Sequence, residues 1–286
     1  MVQNVVNSLV LGSVYVLIAI GLTLVYGILR ILHIAHAGIY TLGAFLGLTF
    51  YHLTGNFWIS LAIGTFLTGL AGVGVYRYFY KKVLKEERIV PLVISIGLFI
   101  VMQDLFRLIW GPYKRPFQVD FHLQPIRGRD FVITQHQVVI VTITALVLAV
   151  LYVLMNFTKM GKEMRACADD LDVAGAMGVN VERAVSMAFF LGSSLAAIAG
   201  ILVGVYENNV YPTMGDVPSY KSFVVIVLGG FGSLLGAVGA GFLLAFAETF
   251  LVAWKGFLLP RDAIAFLIMI ALLMFKPEGL FRRESR

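Results

Sequence analysis

The chain alternates between long apolar runs and short polar breaks from one end to the other. Runs long enough for a membrane helix cover residues 5–29, 37–53, 57–79, 89–110, 136–156, 184–206, 234–254 and 261–276. A bilayer core of about 30 Å takes roughly 20 apolar residues per helix. Lipid offers no hydrogen-bond partners, so spanning backbone must satisfy itself, which selects helices. The pattern therefore predicts an all-α polytopic membrane helix bundle with eight full transmembrane helices in one domain over residues 1–286. A ninth apolar piece at 220–231 is about 18 Å long as a helix. It runs into Gly229-Gly230-Phe231-Gly232-Ser233 and is predicted to be a short or broken helix ending at a glycine turn. Broken helices are tolerated inside a membrane where protein buries them or water reaches them.

Composition agrees: 59% of residues are hydrophobic and 13% charged, against about 25% charged in soluble domains. The net charge of +6 sits in short loops, which reads as topology and not as nucleic-acid binding. Basic clusters at 77–88 (Arg77, Lys81, Lys82, Lys85, Arg88), at 157–183 (Lys159, Lys162, Arg165, Arg183) and in the tail (Lys276, Arg282, Arg283, Arg286) place those segments in the cytoplasm. The amino terminus is then external and the carboxyl terminus internal. That arrangement needs an odd number of crossings, so the 220–231 piece must also cross. The 111–135 loop opposes the scheme, because Lys114, Arg115, Arg127 and Arg129 would lie outside. Cys167 stands alone, so no intrachain disulfide forms. No cation precedes Arg30, so the chain lacks the basic start of a signal peptide and the first apolar run is expected to be retained.

Small residues recur every four positions at Gly192, Ala196, Gly200 and Gly204, at Gly232, Gly236 and Ala240, and at Gly43 and Gly47. Such ladders bring helix backbones together. In the 157–183 loop, Met164, Cys167, Ala168, Leu171 and Ala174 fall on one face of a predicted helix of about four turns. Arg165, Asp169 and Asp172 fall on the other face. Three aspartates do not suit an anionic lipid surface, so this helix is expected to dock into a partner's groove. Gly178 suits a left-handed stop, and Asn180 a cap for the next helix. Glu248 lies within an apolar span, where a carboxylate marks a site with a partner. The bland reading is a hydrogen bond to a neighbouring helix. Asp104 and Arg107 are spaced to pair, with Gln103 beside them. His33 and His36 lack the third and fourth ligands that zinc requires, so no metal and no cofactor is expected. No nucleophile–base or paired-carboxylate constellation is visible, so catalysis is not expected.

The loop resembles the cytoplasmic coupling segment of bacterial ABC-transporter permeases, and most resembles the H-type permease of branched-chain amino acid (Liv) importers. Gly21-Leu22-Thr23-Leu24-Val25-Tyr26-Gly27, Ile34-Ala35-His36 with Leu42-Gly43-Ala44-Phe45, Gly229–Ser233 with Gly236-Ala237, and Lys276-Pro277-Glu278-Gly279-Leu280-Phe281 are similar to the same family, in order. His33 stands where family members often carry Asn, a polar residue is usual near Gly38, and Leu235 stands where many have Pro. The resemblance implies an M-type permease partner, two ABC ATPase subunits, a periplasmic substrate-binding protein and a bacterial inner-membrane location. The chain has no G-x-x-x-x-G-K-[ST] phosphate loop of its own, so ATP is hydrolysed elsewhere. Met164, Arg165, Ala168, Asp169, Leu171, Ala174, Gly175 and Gly178 are the expected ATPase-coupling residues. Tyr26, His36, Ser193, Gly229, Gly230, Gly232, Ser233 and Glu248 are the pore or gate candidates. Branched-chain or other apolar amino acids are the expected cargo. Amide or urea cargo, a secondary transporter using Glu248, and a purely structural membrane subunit are the alternatives.

Overall fold

The computed structural model describes residues 1–84, 86–87, 89–128, 131–254, 260–276 and 279–280. In chain order the helices are α1 (Val2–Leu29), α2 (His36–Thr54), α3 (Phe57–Val75), α4 (Lys81–Val83), α5 (Ile89–Trp110), α6 (Gln135–Phe157), α7 (Lys159–Asp169), α8 (Leu171–Ala176), α9 (Val181–Tyr206), α10 (Asp216–Gly229), α11 (Leu234–Ala253) and α12 (Arg261–Phe275). A π-turn over Tyr76–Tyr80 joins α3 to α4 without a break. A two-stranded hairpin, β1 (Ile126–Arg127) with β2 (Val132–Ile133), lies in the 111–135 loop.

Each predicted apolar run is helical, and polar residues mark the ends. Asn56 accepts hydrogen bonds from Trp58 and Ile59 N–H to start α3. Thr134 and Gln137 form a reciprocal cap on α6. Asn180 starts α9 and Ser233 starts α11. Gly178 has φ +86°, the left-handed stop that its position predicts.

Six helices are long and apolar enough to cross a membrane among the described residues: Val2–Leu29, Phe57–Val83, Ile89–Trp110, Gln135–Phe157, Val181–Tyr206 and Leu234–Ala253. The expectation of eight such helices is corrected on this criterion. The 19-residue α2 is diluted by polar residues from His36 to Thr54, of which His36, Tyr40 and Thr41 are buried against protein. The 15 residues of α12 extend only about 22 Å.

α1 and α9 form the centre, with 89% and 83% of their apolar windows buried, against 17% for α5. Backbones meet where the small-residue ladders predict. A Cβ on Gly21 of α1 would lie 2.6 Å from the Gly192 carbonyl of α9, and Gly43 of α2 abuts Ala197. Neither position has room for a side chain. α3, α5 and α6 wrap this centre and turn most of their apolar surface outward, as helices facing lipid or another subunit must.

Candidate functional site

One end of the bundle carries the loop elements that the sequence singles out. The predicted single helix over 161–178 is instead two. α7 and α8 meet at Asp170, whose extended backbone ends the first and whose carboxylate caps the second, accepting from Asp172 N at 2.8 Å and Val173 N at 2.9 Å. The elbow is clamped to the bundle. Arg165 donates to Asn156 of α6 at 3.0 Å, and Arg30, at the end of α1, donates to the Asp169 carbonyl at 3.4 Å.

The elbow changes which residues face outward. Met164, Cys167 and Ala174 are buried and Ala168 and Leu171 half-buried, so the predicted apolar face packs on this chain's own helices. Arg165, Asp169, Gly175 and Gly178 are exposed. The apolar side chains left uncovered are Val173 (60% exposed) and Met177 (81%). They flank Asp169, Asp170 and Asp172. Burial pushes the Cys167 thiol up from its ordinary pKa, with the Glu163 carboxylate adding to the shift.

Beside the elbow lies the glycine turn. Gly230 (φ 87°, ψ 128°) and Gly232 (φ 81°) occupy backbone conformations that favour glycine. Gly229 packs against Gly236 and Ala237. Ser233 N–H donates to the Gly230 carbonyl at 3.1 Å, and Gly236 N–H to Ser233 Oγ at 3.0 Å. The turn projects Phe231 onto Tyr26 of α1, ring centroids 4.8 Å apart, with Phe223 of α10 at 6.3 Å.

Two cavities meet this region. A groove of about 710 Å³ runs between α1, α6, α7 and α11, and Thr23, Arg165, Gly232 and Ser233 contribute to its lining. A smaller cavity of about 240 Å³ lies between α1, the start of α2 and α10. Tyr26 and Phe231 border it, and His33, His36 and Tyr40 line it. His36 Nε2 lies 3.3 Å from the Ile18 carbonyl, and His33 Nδ1 lies 2.8 Å from Tyr80 Oη. The two imidazoles face each other edge-on at 5.7 Å. No group of three metal-ligating side chains occurs among the described residues.

Glu248 is ion-paired in the interior. Its Oε2 accepts from Tyr15 Oη at 2.8 Å and from Lys221 Nζ at 3.0 Å. Lys221 also donates to Tyr15 Oη at 2.7 Å and meets Asp262 at 3.1 Å. The lysine and the glutamate are 3% and 0% exposed. The network ties α10 to α1, α11 and α12. Lys221 is the residue that sequence reading missed. It lies in the short apolar piece, and a single cation inside a broken helix was the signal available.

The other expected residues are dispersed. Ser193 is buried against Gly72 of α3 and lines neither cavity. Asp104 and Arg107 pair at 2.8 Å, whereas Gln103 reaches Asp216 of α10 at 2.5 Å. Of the closing segment, Lys276, Gly279 and Leu280 are described. Leu280 N–H donates to Leu228 O at 2.8 Å, while Pro277, Glu278 and Phe281 lie outside the described residues.

Long apolar helices packed around the buried pair α1 and α9 make the chain a multi-pass membrane bundle. The family model for the permease component of branched-chain amino acid transport systems matches residues 4–275. The chain belongs to that family. It is 31% identical to the high-affinity branched-chain amino acid transport system permease protein LivH of Escherichia coli K12, over 99% of this chain and 96% of the relative. It is 32% identical to BraD of Pseudomonas aeruginosa over the same shares. A probable branched-chain amino acid permease of Methanocaldococcus jannaschii is 27% identical over 96% of this chain and 90% of its own length.

Proposed function

We propose that this chain forms one side of the pore of an ATP-driven importer of branched-chain amino acids. An M-type permease completes the pore, two ABC ATPase subunits drive it, and a periplasmic binding protein delivers the cargo. α2 and α12 join the six long helices as full crossings and α10 adds a short ninth. The amino terminus is then periplasmic, and the elbow and the carboxyl terminus are cytoplasmic.

The observation that carries this reading is the connection from the elbow to the aromatic closure. An ATPase gripping Val173, Met177 and the neighbouring aspartates moves α7. Arg30 passes that motion to the end of α1, four residues beyond Tyr26. Displacing Tyr26 from Phe231 opens the cavity toward the elbow end. Met164, Ala168, Leu171 and Ala174 serve coupling from beneath, as the packing that makes the elbow rigid. Gly229, Gly230, Gly232 and Ser233 hold Phe231 in register. Glu248 acts in this mechanism by fixing α10 and is not an ion-coupling site.

The test uses the assembled complex. Val173→Glu with Met177→Glu should strip the ATPases from a tagged complex and abolish ATP-driven leucine uptake. Insertion and pairing with the second permease should persist. Undiminished uptake by the double variant would overturn the coupling assignment.

A further inference from the structure

The 111–135 loop carries cations at an end of the bundle where the charge rule for short loops does not expect them. The fold fixes its position. Arg115 exchanges two backbone hydrogen bonds with Val210, each 2.8 Å, and Val210 follows the far end of α9. The elbow precedes the near end of that helix, whose 26 residues extend about 39 Å. The loop and the elbow therefore lie at opposite ends of the bundle. α9 is one of its two buried central helices, so the bridge to Val210 ties the loop to the middle of this end and not to its lipid-facing rim.

The first part of the loop is a rigid, exposed tip. Gly111 follows α5 at φ 87°, and Pro112 and Pro116 restrict the backbone on either side of Tyr113, Lys114 and Arg115. Phe117 and Val119 are buried behind the tip, and Phe117 packs on Tyr51 with ring centroids 5.6 Å apart. In front of these anchors Tyr113 is 82% exposed, and Lys114 and Arg115 are exposed as well. Lys114 Nζ lies over the Tyr211 ring at 5.0 Å. Among the described residues neither cation forms an ion pair, whereas Arg107 of α5 is paired with Asp104 at 2.8 Å. Tyrosine and arginine are enriched among the residues that dominate protein–protein binding, and a surface ordered in advance loses little entropy when it binds. Cations without counter-charges of their own call for carboxylates on the partner.

We propose that the 112–116 tip is the docking surface for an acidic face of the periplasmic binding protein, with Tyr113 and Arg115 as its anchors and Lys114 steering the approach. The surface rests on the importer reading given above, which places this end outside the cytoplasm. It also connects to the gate. The Arg115–Val210 bridge holds the lead-in to α10, and Asp216, the first residue of that helix, accepts from Gln103 of α5 at 2.5 Å. A partner seated on the tip bears on the helix that runs to the 229–233 turn and Phe231.

The test uses the assembled complex in nanodiscs and its purified, leucine-loaded binding protein. p-Benzoylphenylalanine placed at position 113 should cross-link to the binding protein on illumination. Cross-linking to lipid alone, or to neither, would overturn the surface. Lys114→Glu with Arg115→Glu should weaken binding about tenfold or more at about 0.15 M salt. Arg127→Glu, an exposed charge on the hairpin of the same loop, should change it less than about threefold, the small effect of a peripheral charge. Unchanged binding by the double variant, or an equal loss from Arg127→Glu, would overturn the tip as the docking point. Co-purification of the second permease and the ATPases checks assembly of each variant. The cross-link needs no charge reversal, so it decides even if the double variant does not assemble. ATP-driven leucine uptake by the unaltered complex is measured alongside. If uptake is present, a negative cross-link removes only the docking surface; if uptake is absent, the importer reading fails and the surface with it.

Discussion

Replacing Lys221 with methionine removes the cation that joins Tyr15, Glu248 and Asp262. Glu248, with 0% of its surface exposed, keeps the Tyr15 hydroxyl but loses its counter-charge. Breaking a buried ion pair on one side typically costs about 3–5 kcal/mol, and Lys221→Met should fall there. Glu248→Gln should cost less, about 1.5–3 kcal/mol, the range of one hydrogen bond to a charged group, because Lys221 retains Asp262 and Tyr15. Asp262 has a half-exposed side chain, so Asp262→Asn should cost under about 1 kcal/mol. Lys221→Met with Glu248→Leu removes both buried charges and orphans only the Tyr15 hydroxyl. The pair should be more stable than Lys221→Met alone. Equilibrium unfolding in mixed detergent micelles, followed by tryptophan fluorescence, gives the four values. A double variant less stable than Lys221→Met, or Asp262→Asn matching Lys221→Met, would refute the claim that an interior ion pair holds α10 in place.

Other outcomes follow from the same geometry. A cysteine at position 177, 81% exposed in the native methionine, should react with an impermeant maleimide applied from the cytoplasmic side only. Native Cys167, buried and with a raised pKa, should stay silent. Ala174→Trp meets a buried position, so it should lower the melting temperature of the complex as well as uptake, whereas Val173→Glu should lower uptake alone. Gly230→Ala forces a side chain onto a backbone at φ 87° and should cost about 1–3 kcal/mol, read by the same unfolding assay. Phe231→Ala removes a ring 4.8 Å from Tyr26 and should raise ATP-independent leucine leak.

The helices were legible because lipid-facing and centrally buried segments are both continuously apolar, and polar caps such as Asn56, Thr134 and Asn180 mark their ends. α2 falls below the hydropathy of the six long spans because polar residues such as His36 and Thr41 sit inside the bundle and not in its loops. The elbow was not legible from periodicity, since the spacing of Met164, Cys167, Leu171 and Ala174 runs straight through the break. Asp170 is the residue that breaks it, and capping preference was the overlooked signal. The network around Glu248 joins residues 27 and 233 positions apart in sequence, which no local pattern encodes. The two histidines were visible, but their unpartnered nitrogens depend on tertiary contacts with Ile18 and Tyr80.

The most direct measurement is leucine accumulation in proteoliposomes that carry the complete complex and binding protein, with ATP supplied to the face bearing α7 and α8. Accumulation should require hydrolysable ATP, survive an uncoupler, and vanish in Val173→Glu with Met177→Glu. Uptake by this chain without ATPase subunits, or uptake that collapses with the ion gradient, would contradict it.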